Sequence, residues 1–473
     1  MRFDEYRRHD ALGLAGLVRR GEVTAGELLD LAVARLDAVD GALGIVGVRE
    51  EAAARARLDA GPPDGAFRGV PYLFKDLFAF EAGRPLTNGS RLFEGFVAPS
   101  TSTYIARTLA AGLVPFAKSR APELGLNLAT EPRLHGPTRN PWDRGRSAGG
   151  SSGGAAAAVA AGVVPMAHAT DGGGSIRVPA AACGLFGLKP SRGRNPMGPF
   201  IGEAWNGLAC PHCVARSVRD GAALLDATAG PEPGDPYACP PPERPFLAEL
   251  GRDPPPLRVA LVAERPGGGV VHPDAEAAVE GAGALLEDLG HRVEPWTLPF
   301  AADELETVLL DIITSNLAAD LGFWAGVLKR PLDASTLEAC TLALLRRGRD
   351  LPAVRLQAAI GRMHGMGRAL GNAFQTFDVI LQPTLALPPP PIGWLDQDGD
   401  PDAFAARSRE FCPFTALYNM TGLPAASLPL YWNGAGLPIG VMAAAALGKE
   451  GLLFSLAGQL ERARPWFDRV PAG

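Results

Sequence analysis

Two serine sites, each set among glycines, flank an apolar segment within residues 145–179, and hydroxyls held that way could attack an electrophile. In Gly149-Gly150-Ser151-Ser152-Gly153-Gly154, and again in Asp171-Gly172-Gly173-Gly174-Ser175, the missing side chains let the backbone approach a ligand closely. A Gly/Ser run on its own reads as a flexible linker. This one enters the uncharged, alanine-rich stretch 155–164, which has to be buried, so both serine loops are expected to be pinned to a core. A phosphate-cradling loop would need a lysine directly after its glycines, and no Lys or Arg follows Gly154 until Arg177.

A serine nucleophile needs a proton acceptor. Lys75 interrupts the apolar run Gly69-Val70-Pro71-Tyr72-Leu73-Phe74-Lys75-Asp76-Leu77. Burial there would disfavour its charged form and leave a neutral amine able to take a proton, whereas an outward-facing lysine on an edge strand is the commoner reason for such a pattern. His135 and His168 are the histidines nearest the serines, and a Ser-His-acid hydrolase would use one of them. His135 lies in the Pro- and Gly-rich stretch 131–142, which is expected to buttress the serine loop. His168, in an apolar run, suits a packed and hydrogen-bonded side chain better.

Together these segments resemble the amidase signature family of serine hydrolases. The resemblance is carried by GVPYLFKD, GRSAGGSSGG and TDGGGSIRVPAAACGLFGLKPSRGR, with weaker echoes in DVILQPT, NMTGLPAASLP and GLPIGVM, and it spans most of the chain. It implies an α/β fold, a single domain with a central twisted mixed β-sheet surrounded by helices, and no metal or organic cofactor. It also implies a Ser–cis-Ser–Lys triad, with Lys75 as base, Ser151 as the bridging serine after a cis peptide bond from Gly150, and Ser175 as nucleophile. The backbone N–H groups of Gly172, Gly173, Gly174 and Ser175 would form the oxyanion hole. Ser152, Asp171 and Arg177 would be supporting residues, Arg177 paired behind the loop and its charge helping to depress the Lys75 pKa. The family's usual residue at position 172 is larger, so glycine there implies a looser oxyanion loop or more space beside the scissile bond. Residues 129–154 are similar to members acting on nylon oligomers, aryl amides and urethanes. The implied activity is hydrolysis of C–N bonds in bulky, aryl or synthetic amides, or carbamates, through an acyl-enzyme. Rivals are an amidotransferase subunit working within a complex, a catalytically silent binding protein on the same fold, and a redox protein built on a CxxC pair.

The elements that must position these residues follow from bulk and periodicity. With 473 residues, 47% of them hydrophobic and 20% charged, the chain can build one large core or two domains, and a net charge of −6 gives no nucleic-acid footprint. The charged start lacks a secretory apolar core and 155–164 is too short to span a bilayer, so a cytoplasmic location away from membranes is expected, with a homodimer left open. Cys183, Cys239, Cys340 and Cys412 suit core thiols. Cys210-Pro211-His212-Cys213 has the form of a redox motif or half a zinc site, without a second ligand pair.

Helices are expected over 10–20 and over 24–39, where Thr24 and Glu27 form a capping box, then a strand at 44–48, a helix at 50–58 and the Lys75 strand at 69–78. A helix at 101–111 and a strand at 113–118 continue the alternation of a mixed α/β sheet. The expected division is N-terminal helices at 1–68, a catalytic core at 69–229, the rest of the sheet from 257–298 and 375–473, and a helical, substrate-facing cover at 299–372. The proline-rich 230–256 connects a helix to a strand within one domain. Phe414, Tyr418 and Asn419 are candidates to line a pocket, and a helix at 451–462 closes the chain.

Overall fold

Thr24 opens the first long helix through the expected box: its hydroxyl accepts from the Glu27 N–H at 3.1 Å while the Glu27 carboxylate accepts from the Thr24 N–H at 2.8 Å. The helix that follows, Ala25–Leu43, buries Leu28, Leu29, Ala32 and Leu36 and ends on Gly44. The computed structural model describes residues 1–471. Beyond this helix a three-stranded sheet forms, with Val114–Ser119 in its centre, antiparallel to Val46–Arg49 and parallel to Pro71–Lys75. The strand carrying Lys75 is shorter than its apolar run suggested and is buried along its whole length.

The larger sheet has eight strands in the order Arg292–Pro295, Arg258–Leu261, Val379–Pro383, Pro438–Ala444, Ala425–Trp432, Phe186–Lys189, Cys210–Ala215 and Met166–Asp171. Its first three strands run parallel and the remaining pairs antiparallel, which makes it the mixed sheet expected. The two sheets meet where Pro71–Lys75 lies against Met166–Asp171. Between them runs the wholly buried helix Gly153–Ala160, whose Gly, Ala and Val side chains leave room for close packing on strands of both sheets. Proline-rich 230–256 is no linker. It holds a short helix, Phe246–Glu249, packed on Val218–Thr228 and on the closing helix Glu450–Ala463.

Three helices make up the block after the strand Arg292–Pro295: Ala302–Leu328, Ala339–Arg349 and Ala353–Thr376. The first is long and apolar enough to cross a membrane by length and composition alone. Part of its apolar surface is accounted for here, because Val308, Ile312 and Leu317 are buried in clusters while Leu305, Leu309 and Ile313 line a cavity; Phe323 and Val327, nearer its C-terminal end, are exposed. Asp311, buried mid-helix, ties it to the next two through Arg347 at 3.0 Å and Arg355 at 2.7 Å. A further helix, Pro401–Phe411, had no counterpart in the sequence expectations and forms another wall of that cavity.

Candidate active site

Lys75 ends its strand with its side chain fully buried. Its amine nitrogen Nζ donates to Ser151 Oγ at 2.7 Å and to Thr170 Oγ1 at 2.8 Å, and it makes no ion pair among the described residues. Burial pushes the Lys75 pKa well below the usual lysine range, against the opposing pull of the Asp171 charge. Arg177 does not supply this depression, contrary to expectation, because its charge is matched by Asp171.

The serine loop is held from several sides. Its Gly150–Ser151 peptide is cis. A Cβ on Gly150 would stand 2.6 and 2.7 Å from the carbonyl oxygens of Asn127 and Ala129, so only glycine fits between that segment and Ser151. Thr130 clamps the loop, donating to the Gly149 carbonyl at 2.9 Å and accepting from the Gly153 N–H at 3.1 Å. Ser152 exchanges hydrogen bonds with the Thr170 backbone at 3.4 Å, which ties the loop to the neighbouring strand. Ser151 is 1% exposed and its Oγ lies 3.3 Å from where a Cβ on Gly125 would stand; Gly125 in turn lines the same cavity as Ser175.

Behind the second loop sits a buried ion pair. Arg177 Nε and Nη2 donate to Asp171 at 3.0 Å each, with both side chains at zero exposure. Arg177 also donates to the Thr415 carbonyl at 2.8 Å and to Asn419 Oδ1 at 2.6 Å. Burial alone would raise the Asp171 carboxyl. The Arg177 charge and hydrogen bonds, with Asn419, outweigh it and hold the group well below the usual carboxylate range. That carboxylate accepts from the backbone N–H groups of Gly174 at 2.7 Å and Ile176 at 3.1 Å. The Gly174 N–H is therefore already taken up, a departure from the four-donor hole implied by resemblance. Those of Gly172, Gly173 and Ser175 have no protein acceptor among the described residues, while the Gly173 carbonyl accepts from the Thr415 hydroxyl.

The cavity beside Ser175 has a volume of about 290 Å³. Its wall is apolar, with Leu305, Leu309, Ile313, Leu344 and Phe404 among the contributors, and its charged groups are Arg265 and the partly exposed Glu306–Arg409 pair. Phe414, Tyr418 and Asn419 do not line it. The two rings are buried in the core and Asn419 serves the Asp171–Arg177 pair, whereas Pro413, Ala416 and Leu417 of the same segment face the cavity.

Neither histidine is placed as a base for the serines. His168 Nδ1 accepts from the Lys75 backbone N–H at 3.2 Å, and burial, reinforced by the nearby Lys75 charge, lowers its pKa to about 3. His135 packs on Gly47, and its Nε2 has no hydrogen-bond partner among the described residues. Cys210 and Cys213 sit three apart on one strand and so on opposite faces. The Cys210 thiol lies 3.8 Å from the Asp171 and Pro190 carbonyls, and Cys213 packs in a separate core cluster. All six cysteines are free and no metal-binding cluster occurs among the described residues. Thr170, which no sequence signal singled out by chemistry, could have been found from period-two alternation, since it shares a strand face with His168 on the edge facing Lys75.

Comparison with known proteins gives the chain a family and a fold. The pattern of the family described as amidase matches residues 27–454. The 6-aminohexanoate-cyclic-dimer hydrolase of Paenarthrobacter ureafaciens is 36% identical over 479 residues, covering 98% of this chain and 96% of that one. A putative amidase of Mycobacterium tuberculosis is 37% identical over 467 residues, covering 97% and 95%. Among solved structures, 6-aminohexanoate cyclic dimer hydrolase complexed with substrate superposes with a TM-score of 0.93 at 35% identity, covering 98% of this chain and 99% of that one. A bacterial aryl acylamidase of the amidase signature family superposes with a TM-score of 0.87 at 26% identity, covering 97% and 96%.

Proposed function

This chain belongs to the amidase signature family and hydrolyses amide C–N bonds, and from that premise we propose how its own residues do so. Ser175 is the nucleophile, Ser151 the proton relay and Lys75 the base. The reading is carried by one observation: a fully buried lysine with no ion-pair partner among the described residues, hydrogen-bonded at 2.7 Å to a serine hydroxyl. Neutral Lys75 takes the proton of Ser151 as Ser151 takes that of Ser175, and Ser175 Oγ attacks the carbonyl carbon. The N–H groups of Gly172, Gly173 and Ser175 receive the oxyanion, while Gly174 anchors the loop to Asp171 instead. On collapse the C–N bond breaks, Ser151 delivers a proton to the leaving nitrogen and Lys75 returns its own to Ser151. Water then repeats the attack on the acyl-enzyme by the same relay. Ser152, Asp171 and Arg177 hold the loops without touching the reacting atoms.

The apolar cavity favours amides whose acyl or amine part is an aryl group or an aliphatic chain, with linear or cyclic oligoamides and carbamates in the same class. The amidotransferase alternative takes a free α-amino acid amide, a charged substrate to which the mostly apolar lining offers Arg265 and the partly exposed Glu306–Arg409 pair. A cytoplasmic location fits six free thiols. The test is turnover of short- and long-chain anilides, a primary amide, a carbamate and a cyclic oligoamide, with Ser175→Ala as blank. Wild-type turnover with a loss of about 10⁴–10⁶ in kcat in the variant is expected, and activity within about tenfold of wild type would remove Ser175 as nucleophile.

A further inference from the structure

Glycine at position 172 is not a vacancy. A Cβ built there would stand 2.8 and 2.9 Å from two ring carbons of Trp205, Cζ3 and Cε3, closer than carbon atoms approach one another. The indole thus rests on the Gly172 Cα, filling the space that a small residue was expected to open, and it lines the same cavity as Gly173 and Ser175. We propose that Trp205 is a specificity-determining residue, forming the wall against which the substrate group bonded to the scissile carbonyl packs, and that Gly172 is what admits it.

The ring is held there by a loop with an uncommon backbone. Trp205 and Asn206 both adopt left-handed φ values, 53° and 51°, a conformation that bulky side chains seldom take and that persists only where the surroundings enforce it. Three contacts enforce it. Asn316, on the long helix beside the cavity, donates to Asn206 Oδ1 at 2.7 Å; Arg192 donates to the Gly207 carbonyl at 2.7 Å; and Asn419 donates to the Leu208 carbonyl at 3.1 Å. Asn419 is also the residue that bonds Asp171 and Arg177, so one side chain positions both the oxyanion loop and the loop that carries the indole. A flat ring fixed against the first donor of the oxyanion hole admits an acyl group that is unbranched or planar at the carbon next to the carbonyl. It obstructs one that is branched there.

This rests on Ser175 as the nucleophile beside that wall, and the anilides of acetic, propionic, isobutyric and pivalic acids test it. Trp205→Ala is expected to raise the ratio of kcat/KM for pivalanilide over acetanilide by about tenfold or more, the scale of discrimination set by a few methyl groups in a pocket. Gly172→Ala is expected to lower kcat/KM on every anilide by about tenfold or more, because its Cβ must displace the ring or the loop. In the Trp205→Ala background the same substitution should cost no more than about threefold. Equal cost in both backgrounds, or an unchanged selectivity ratio in Trp205→Ala, would overturn the proposal. If Gly172→Ala is too unstable to assay, the thermal midpoint reads the same coupling: Trp205→Ala must restore it, and failure to do so counts against the proposal. Trp205→Phe supplies the selectivity measurement should Trp205→Ala not fold. Residual turnover in Ser175→Ala would mark a failure of the nucleophile assignment, which an additive cycle would not.

Discussion

Replacing Arg177 with methionine isolates what holds the second serine loop. The substitution keeps the length and apolar bulk of the side chain and removes the two 3.0 Å contacts to Asp171, together with the donors to the Thr415 carbonyl and to Asn419 Oδ1. Asp171 keeps its bonds from Gly174, Ile176 and Asn419 and the more distant Lys189 charge, but loses its ion-pair partner at zero exposure. Breaking a buried pair in this one-sided way costs about 3–5 kcal/mol. The double variant Arg177→Met/Asp171→Asn should lose less, since no charge is stranded.

The pH dependence carries a sign that distinguishes this cause from lost packing. In the wild type the folded Asp171 pKa is depressed, so its contribution to stability is present above the unfolded value of about 3.9 and is lost only as pH falls through the folded value. Without Arg177, burial is the largest single influence, opposed by Asn419, the backbone donors and the Lys189 charge, and the folded pKa is expected to rise above the unfolded one. The folded state then binds a proton that the unfolded state does not, and stability falls as pH rises through that window. The destabilisation by Arg177→Met should therefore be larger at about pH 7 than at about pH 4.5, each unit of upward shift adding about 1.4 kcal/mol. Urea unfolding of the three proteins at both pH values measures it. A loss below about 1 kcal/mol, or one equal at the two pH values, would refute the assignment of Arg177 as the compensating charge.

In the wild type kcat/KM should climb with pH along one ionisation placed below the ordinary lysine range, and that limb should be absent from the residual activity of Lys75→Met. The same variant should be more stable than wild type near neutral pH and lack the wild-type rise in stability towards the unfolded lysine value of about 10.4, because the unfolded chain binds the extra proton in that interval. His168→Leu strands the Lys75 N–H and should cost about 1–3 kcal/mol, measured by urea unfolding. His168→Asn, which can offer an oxygen in place of Nδ1, should recover most of that stability, and the activity limb should survive in both; its loss in either would point to histidine as the base. Thr170→Val keeps shape but removes a hydroxyl from Lys75 Nζ, and a fall of about fivefold in kcat/KM, matching about 1 kcal/mol for one hydrogen bond, is expected from steady-state assays.

Much of the site was legible because its chemistry is written in short local runs. Lys75 in an apolar strand, Ser151 among four glycines and Ser175 behind three are each conspicuous by residue type. The outer helices were legible too, since Ala25–Leu43 and Pro273–Asp288 each bury one stripe and so show helical periodicity. The central strands Phe186–Lys189, Cys210–Ala215, Ala425–Trp432 and Pro438–Ala444 were not. Buried on both faces over most of their length, they have no alternation to read, and their Gly, Ala, Pro and Cys content imitates loops or motifs. The CxxC pair shows how this misleads. Four letters that suggest a metal or redox site become, once the segment is a strand, two thiols on opposite faces of a sheet.

What stayed hidden was the set of long-range matches between residues with no local signature. Trp205 acquires its place from a left-handed backbone that Asn316, Arg192 and Asn419 impose from three other segments, and nothing in Glu203-Ala204-Trp205-Asn206-Gly207 announces it. Gly172 looked like a loss of bulk when taken alone, and a loosened loop followed from that view. Paired with an indole whose ring carbons would lie within 2.9 Å of any Cβ, it becomes the opposite, a tightening contact. The volume at position 172 and the aromatic at position 205 are thus one variable, and exchanging either without the other should disturb the oxyanion loop more than exchanging both.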